Sequence, residues 1–101
     1  SLQEVMRPTT DAIVKLKNYC ESEGIVLGVV IIPPRSGKTI FDERLNVFFQ
    51  DAKMNVLDLD AREYDKQDFF PGDGHWNEKG HEKASELLVP FVRGLLDKRQ
   101  E

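Results

Sequence analysis

The stretch IVLGVVII, Ile25 to Ile32, restricts the fold of this chain more than any other. It carries no polar side chain, is rich in β-branched residues and is stopped by Pro33 and Pro34, which cannot donate to a ladder. A run of this length without alternation predicts a strand buried on both faces, as in a parallel sheet covered by helices. A parallel sheet in turn requires crossover connections, so helices are expected on either side of the run in sequence.

The flanking patterns supply them. From Thr10 to Glu23, Ile13, Leu16 and Cys20 recur at helical spacing with Ala12 and Tyr19 beside them, Thr9 or Thr10 can cap the start, and Gly24 suits the end. Pro8 separates this pattern from a shorter amphipathic piece, Leu2 to Arg7, which could form an earlier turn of the same helix. After the polar RSGKT loop a second helical pattern runs through Phe41, Leu45 and Phe48 or Phe49, and MNVLDLD, Met54 to Asp60, predicts the next strand. Ala61 to Gly74 has loop character. A last helix starts at Asn77 and carries Ala84, Leu87, Leu88, Phe91, Val92 and Leu95 on one stripe, with a kink or break expected near Leu88 because of Pro90.

This order predicts an α/β fold in a single domain, residues 1–101. Sheets usually have about four to six strands, so two parallel strands point to part of a larger doubly wound domain, its C-terminal half. The chain opens at Ser1 inside amphipathic sequence, which suggests that it is cut from a longer protein. An open strand edge invites pairing and predicts a homodimer or strand exchange. Light scattering checks that expectation, and a strictly monomeric species counts against it.

Hydrophobic residues at 40% and charged residues at 32% fit a packed domain rather than disorder. The net charge of -4 disfavours nucleic acid and anionic membrane surfaces, whose main attraction is to Lys and Arg. No apolar run approaches the roughly 20 residues of a membrane span, so no membrane insertion is expected. Cys20 is the only cysteine, which excludes an internal disulfide, and its helical position makes it a core residue.

Two motifs suggest chemistry that their details do not support. PPRSGKT, between a strand and a helix, resembles a phosphate-binding loop, but Ile32 stands where the first glycine belongs, and Pro33 and Pro34 have no N–H to offer a phosphate. Arg35 or Lys38 could still touch a substrate from the carboxyl end of the first strand. Asp73, His75 and His81 could be proposed as metal ligands, yet the two histidines are six apart with a helix start between them, unlike the four-residue spacing of zinc helices. No metal or cofactor is therefore assigned.

PGDGHWNEKGH, Pro71 to His81, is the most informative segment for function. Asp73 and His75 can face one side, with His75 as general base and acid and Asp73 accepting from its ring to set tautomer and orientation. The competing assignment has His75 and Trp76 cover the core edge while Asp73 caps a turn. Gly72 and Gly74 clear the surroundings of the pair, and Gly80 permits a close approach of the helix to the sheet.

FFPGDGHWNEKGHEKASELL, Phe69 to Leu88, resembles the last block of the SGNH/GDSL hydrolases, in particular those related to polysaccharide O-acetyl esterases and acetyltransferases, where Asp-x-His-Trp-Asn leads into the final helix. GIVLGVVIIPP and MNVLDLD are more weakly similar to the two preceding strands. The resemblance implies a flavodoxin-like three-layer α/β/α domain with a parallel sheet, His75 as catalytic base and Asp73 as its partner. Many members space the pair as Asp-x-x-His, one residue wider than here.

It further implies a bacterial esterase or acyltransferase acting on an acyl ester or O-acetylated carbohydrate, needing no cofactor and placed outside the cytoplasm. The Gly-Asp-Ser nucleophile block and the oxyanion blocks are not in this sequence. Of Ser1, Ser22, Ser36 and Ser85, only Ser36 lies in a loop, and its flanks do not resemble a nucleophile turn. The nucleophile is expected N-terminal to these residues, and the chain alone is expected to be inactive. The alternative is a noncatalytic α/β binding or interaction module, which fold class alone does not exclude.

Overall fold

A computed structural model describes residues 1–32, 39–59 and 64–99. The elements run α1 (Leu2–Ser22), β1 (Gly28–Ile31), α2 (Ile40–Asp51), β2 (Asn55–Asp58), a single 3₁₀ turn (Lys66–Asp68) and α3 (Glu78–Arg99). The strands pair in parallel with Gly28 opposite Asn55 and Ile31 opposite Asp58, and α2 lies in the crossover between them. Mixed α/β architecture with a parallel sheet is therefore present, in strands shorter than the apolar runs that contain them. The RSGKT loop, apart from Thr39, falls outside the described residues, as does Asp60 at the end of the second run.

Helix ends explain the boundaries. In α1 the cap is Ser1, whose hydroxyl accepts from the Glu4 N–H while the Glu4 carboxylate takes the terminal amine, so Thr9 and Thr10 are interior instead of capping. The helix continues through Pro8, joining the two pieces separated in sequence. Its end is a Schellman motif: Ile25 N–H bonds the Cys20 carbonyl at 2.8 Å, Gly24 N–H bonds Glu21, and Gly24 takes a φ of 70°.

Helix α2 begins with a capping box between Thr39 and Asp42, so the threonine of the apparent phosphate motif serves as a helix cap. It ends in a second Schellman motif, with Met54 N–H on the Phe49 carbonyl and Lys53 at φ 55°. Lys53 is the one non-glycine residue with positive φ among those described.

Helix α3 runs without a break from Glu78 to Arg99, contrary to the interruption expected near Leu88. Pro90 removes one donor, but Glu86, whose carbonyl loses its partner, and Pro90 itself lie on the exposed side, where water can bond the freed group. Phe91 and Leu95 of α3 press on β1 so closely that a Cβ on Gly28 would lie 3.1 Å from the Phe91 ring and 2.5 Å from Leu95. Lys98 bonds the Asn55 side-chain carbonyl, and the Asn55 amide donates to the Leu27 carbonyl at 2.9 Å. The C-terminal part of α3 is thus fastened to the amino ends of both strands.

Coverage of the sheet is incomplete. All strand positions remain partly exposed, and the fully shielded apolar residues are Cys20, Phe49, Leu59, Phe69 and Ala84 among those described. Cys20 takes the inward position expected, whereas Leu16 and Tyr19 are exposed and Ile13 is half-buried. The chain forms a slab 44 × 40 × 16 Å with a radius of gyration of 15.4 Å, against about 13 Å for a compact chain of this length.

The strained cap gives a direct test. Replacing Lys53→Gly removes the Cβ penalty at positive φ and is expected to raise stability by about 0.5–1 kcal/mol in urea unfolding, offset in part by the entropy of glycine. The same measurement on Gly24→Ala should show a loss of similar size.

Candidate active site

The loop between the 3₁₀ turn and α3 is a small hairpin. Phe69 and Trp76 form an antiparallel bridge, Phe70 N–H donates to the His75 carbonyl at 3.1 Å, and Asp73 N–H donates to the Phe70 carbonyl at 3.1 Å. Pro71 and Gly72 occupy the centre of that last turn, with Gly72 at φ 68°, the arrangement of a type II turn. Gly72 is required for its backbone. Gly74 leaves open space around it, so its small size relieves no contact.

At the tip the structure joins the two residues that the sequence singles out. His75 Nδ1 lies 2.5 Å from Asp73 Oδ1, and the His75 backbone N–H donates to the same oxygen at 2.8 Å. The ring bond, then the backbone bond, hold the Asp73 carboxyl below the usual carboxylate range. An ionised carboxylate only accepts, so this contact assigns a proton to Nδ1, and in the neutral form of the ring Nε2 is then the acceptor. This is the tautomer a general base needs. The His75 side chain is 87% exposed, so it does not cover the core edge.

The base of the hairpin is built from residues outside the pair. Asn77 caps α3, its Oδ1 accepting from Lys79 N–H at 2.9 Å and Gly80 N–H at 3.2 Å, while its amide donates to the carbonyls of Gln67 and Phe69. Asp68, 2% exposed, accepts from Lys83 Nζ at 2.6 Å and from the Asp65 N–H at 2.8 Å. Lys83 first, and then the backbone bond, hold its carboxyl below the usual range against the opposing effect of burial. Asp68 in turn holds the Lys83 ammonium above its ordinary value.

Gly80 does permit a close approach, but to the 3₁₀ turn and Trp76, not to the sheet: a Cβ there would collide with the Asp68 carbonyl oxygen and come within 2.7 Å of Trp76 Cβ. Trp76 stacks on Tyr64 with centroids 5.5 Å apart and planes 9° from parallel, and His81 meets its edge at 5.5 Å. Burial, then the Asp68 carboxylate, push the Tyr64 phenol up. His81 is thus turned to an aromatic ring, and no group of three His, Cys, Asp or Glu among the described residues could hold a metal ion.

The hairpin lies in the chain between β2, which ends at Asp58, and α3, whose C-terminal part is fastened to the amino ends of β1 and β2. The described serines do not offer a nucleophile: Ser1 caps α1, and the hydroxyls of Ser22 and Ser85 donate to the Tyr19 and Glu82 carbonyls at 2.8 Å each. Ser36, Arg35 and Lys38 lie outside the described residues.

Sequence reasoning missed Asp68, Lys83 and Tyr64. A signal was available: Asn77, Gly80 and the Lys83/Ala84 pair recur at three- to four-residue spacing and share the face of α3 turned to the loop. No protein-family model, curated protein or solved structure matches the chain. No described helix is long and apolar enough to cross a membrane.

Two measurements test this scaffold. Asn77→Ala removes the cap and is expected to cost about 1–2 kcal/mol in urea unfolding. The folded pKa of Asp68 lies below its unfolded value of about 3.9, so its contribution is fully present above that value and disappears as pH falls through the folded one. Stabilities of the native protein and Asp68→Asn, followed by Trp76 fluorescence, should differ most above about pH 5 and converge in acid.

Proposed function

We propose that this chain supplies the acid–base half, Asp73 and His75, of an SGNH-type serine esterase or O-acyltransferase, with the nucleophile provided by a segment N-terminal to it. The observation that carries this reading is the 2.5 Å contact between His75 Nδ1 and Asp73 Oδ1, in the segment that follows the second of two parallel strands. The resemblance of Phe69 to Leu88 to the last block of that family is the second support.

In the reaction, His75 Nε2 takes the proton of the serine hydroxyl as its oxygen attacks the ester carbonyl. Asp73 holds the ring and stabilises the imidazolium that forms. His75 then returns the proton to the departing alkoxide, leaving an acyl-serine. Water or a sugar hydroxyl attacks that ester with His75 again as base, and His75 passes the proton to the departing serine oxygen, which releases the acid or transfers the acyl group and restores the free serine. Backbone and side-chain donors from the same missing blocks would stabilise the oxyanion. An acyl ester or O-acetylated carbohydrate is the substrate class, and no cofactor is called for.

Half-covered strands, each with one neighbour among the described residues, support a larger flavodoxin-like three-layer domain, in which further strands and helices complete both faces. The exposure of the pair is in keeping with a second segment closing over it. That same exposure also favours the competing reading, a noncatalytic α/β module whose hairpin serves binding alone.

Hydrolysis of p-nitrophenyl acetate by the full-length parent polypeptide separates the two. His75→Ala, with folding checked by circular dichroism, is expected to lower kcat by on the order of 10⁴-fold or more. Equal rates in parent and variant favour the binding module. These 101 residues alone should show no turnover sensitive to Ser36→Ala.

A further inference from the structure

The tip of the hairpin has little packing of its own. Residues 70–75 are exposed, so the placement of Asp73 and His75 depends on the two stems, Phe69 and Trp76–Asn77. Both stems converge on Asp68. Its carbonyl accepts the Asn77 N–H at 2.9 Å and lies against Gly80, and its carboxylate holds Lys83 of α3 at 2.6 Å and the Asp65 N–H at 2.8 Å. Phe69, the next residue, forms the bridge to Trp76. Lys83 also stands 5.6 Å from the centroid of Tyr64, the ring that stacks on Trp76.

We propose that Asp68 and Lys83 are a positioning pair, an ion pair between a buried carboxylate and a partly exposed ammonium that clamps the hairpin stems to α3 and so fixes the orientation of the His75 ring against Asp73. The inference rests on the reading of Asp73 and His75 as the acid–base pair and adds the residues that aim it. Removing the ammonium leaves a carboxylate buried without its charged partner, which must then take up a proton or admit water. Either outcome loosens the 3₁₀ turn and with it the stem at Phe69. Arginine at position 83 keeps both the charge and a donor, whereas methionine keeps only the apolar stem.

The ring tautomer of His75 reports orientation without any substrate. At pH 8 the nitrogen-15 shifts of the imidazole in the native protein should show the proton on Nδ1, held there by Asp73. Lys83→Met is expected to shift the population toward the Nε2–H form that a free histidine side chain favours, with the far-UV spectrum and the amide exchange of β1 and β2 unchanged. Lys83→Arg should restore the Nδ1–H signature. A folded Lys83→Met protein that retains the native tautomer overturns the proposal.

Should Lys83→Met not fold, the double variant Asp68→Leu/Lys83→Met, which leaves no lone buried charge, is read in the same way. A native tautomer in that folded protein contradicts the proposal equally. Because no ester is involved, an inactive parent enzyme would overturn the catalytic reading and leave the tautomer result standing. Conversely, an unchanged tautomer would remove the positioning pair and leave the catalytic reading intact.

Discussion

Parallel pairing of Gly28–Ile31 with Asn55–Asp58 is the constraint on which the rest of the molecule depends. Two parallel strands cannot be joined by a tight turn, so the chain must cross over, and α2 with its capped start and Schellman end makes that crossing in the space available. Once both strands point the same way, their carboxyl ends share one edge, and everything that follows β2 begins there. Helix α3 then returns toward the amino ends, where Phe91 and Leu95 close on the glycine of β1 and Lys98 reaches Asn55. The short hairpin belongs to the connection that leads from β2 to α3, and connections after parallel strands commonly carry the chemistry of α/β sheets.

The hairpin combines two tasks that call for different environments. Its tip carries a carboxylate and an imidazole in contact, exposed and acting through a local ring of hydrogen bonds. Its stem carries a carboxylate that is buried and satisfied by an ammonium and a backbone N–H. Charge placed at the stem is shielded from water and therefore directional, while charge at the tip gains its value only when another segment excludes solvent from it. In the larger domain proposed above, the half-covered strands and the exposed pair would be shielded together.

Much of this could be read in the sequence. The apolar run of Ile25 to Ile32 and the alternation of Met54 to Asp60 located both strands, but the burial on both faces that the first run predicts is not found, since every strand position remains partly exposed. Helical spacing gave the three helices, and Gly24 and Asn77 gave an end and a start. Pro90 misled, since proline removes one donor, and a helix whose freed carbonyl faces water can tolerate that loss. Leu16 shares the helical face of Cys20 and is nonetheless exposed, because periodicity assigns a face but not its cover. Asp73 and His75 were visible because their contact is local. Asp68 and Lys83, fifteen residues apart across a loop, obey no period, and their pairing becomes apparent only when Gly80 brings α3 onto the 3₁₀ turn.

The central claim is that His75, oriented by Asp73, acts on a hydroxyl supplied by another segment. A crystal structure of the full-length parent polypeptide after reaction with a fluorophosphonate tests it most directly. The account predicts a phosphonylated serine N-terminal to these residues, with its oxygen about 2.6–3.2 Å from His75 Nε2 and the Asp73 contact retained. A labelled residue remote from His75, or a protein that takes no label and leaves His75 facing solvent, would contradict it.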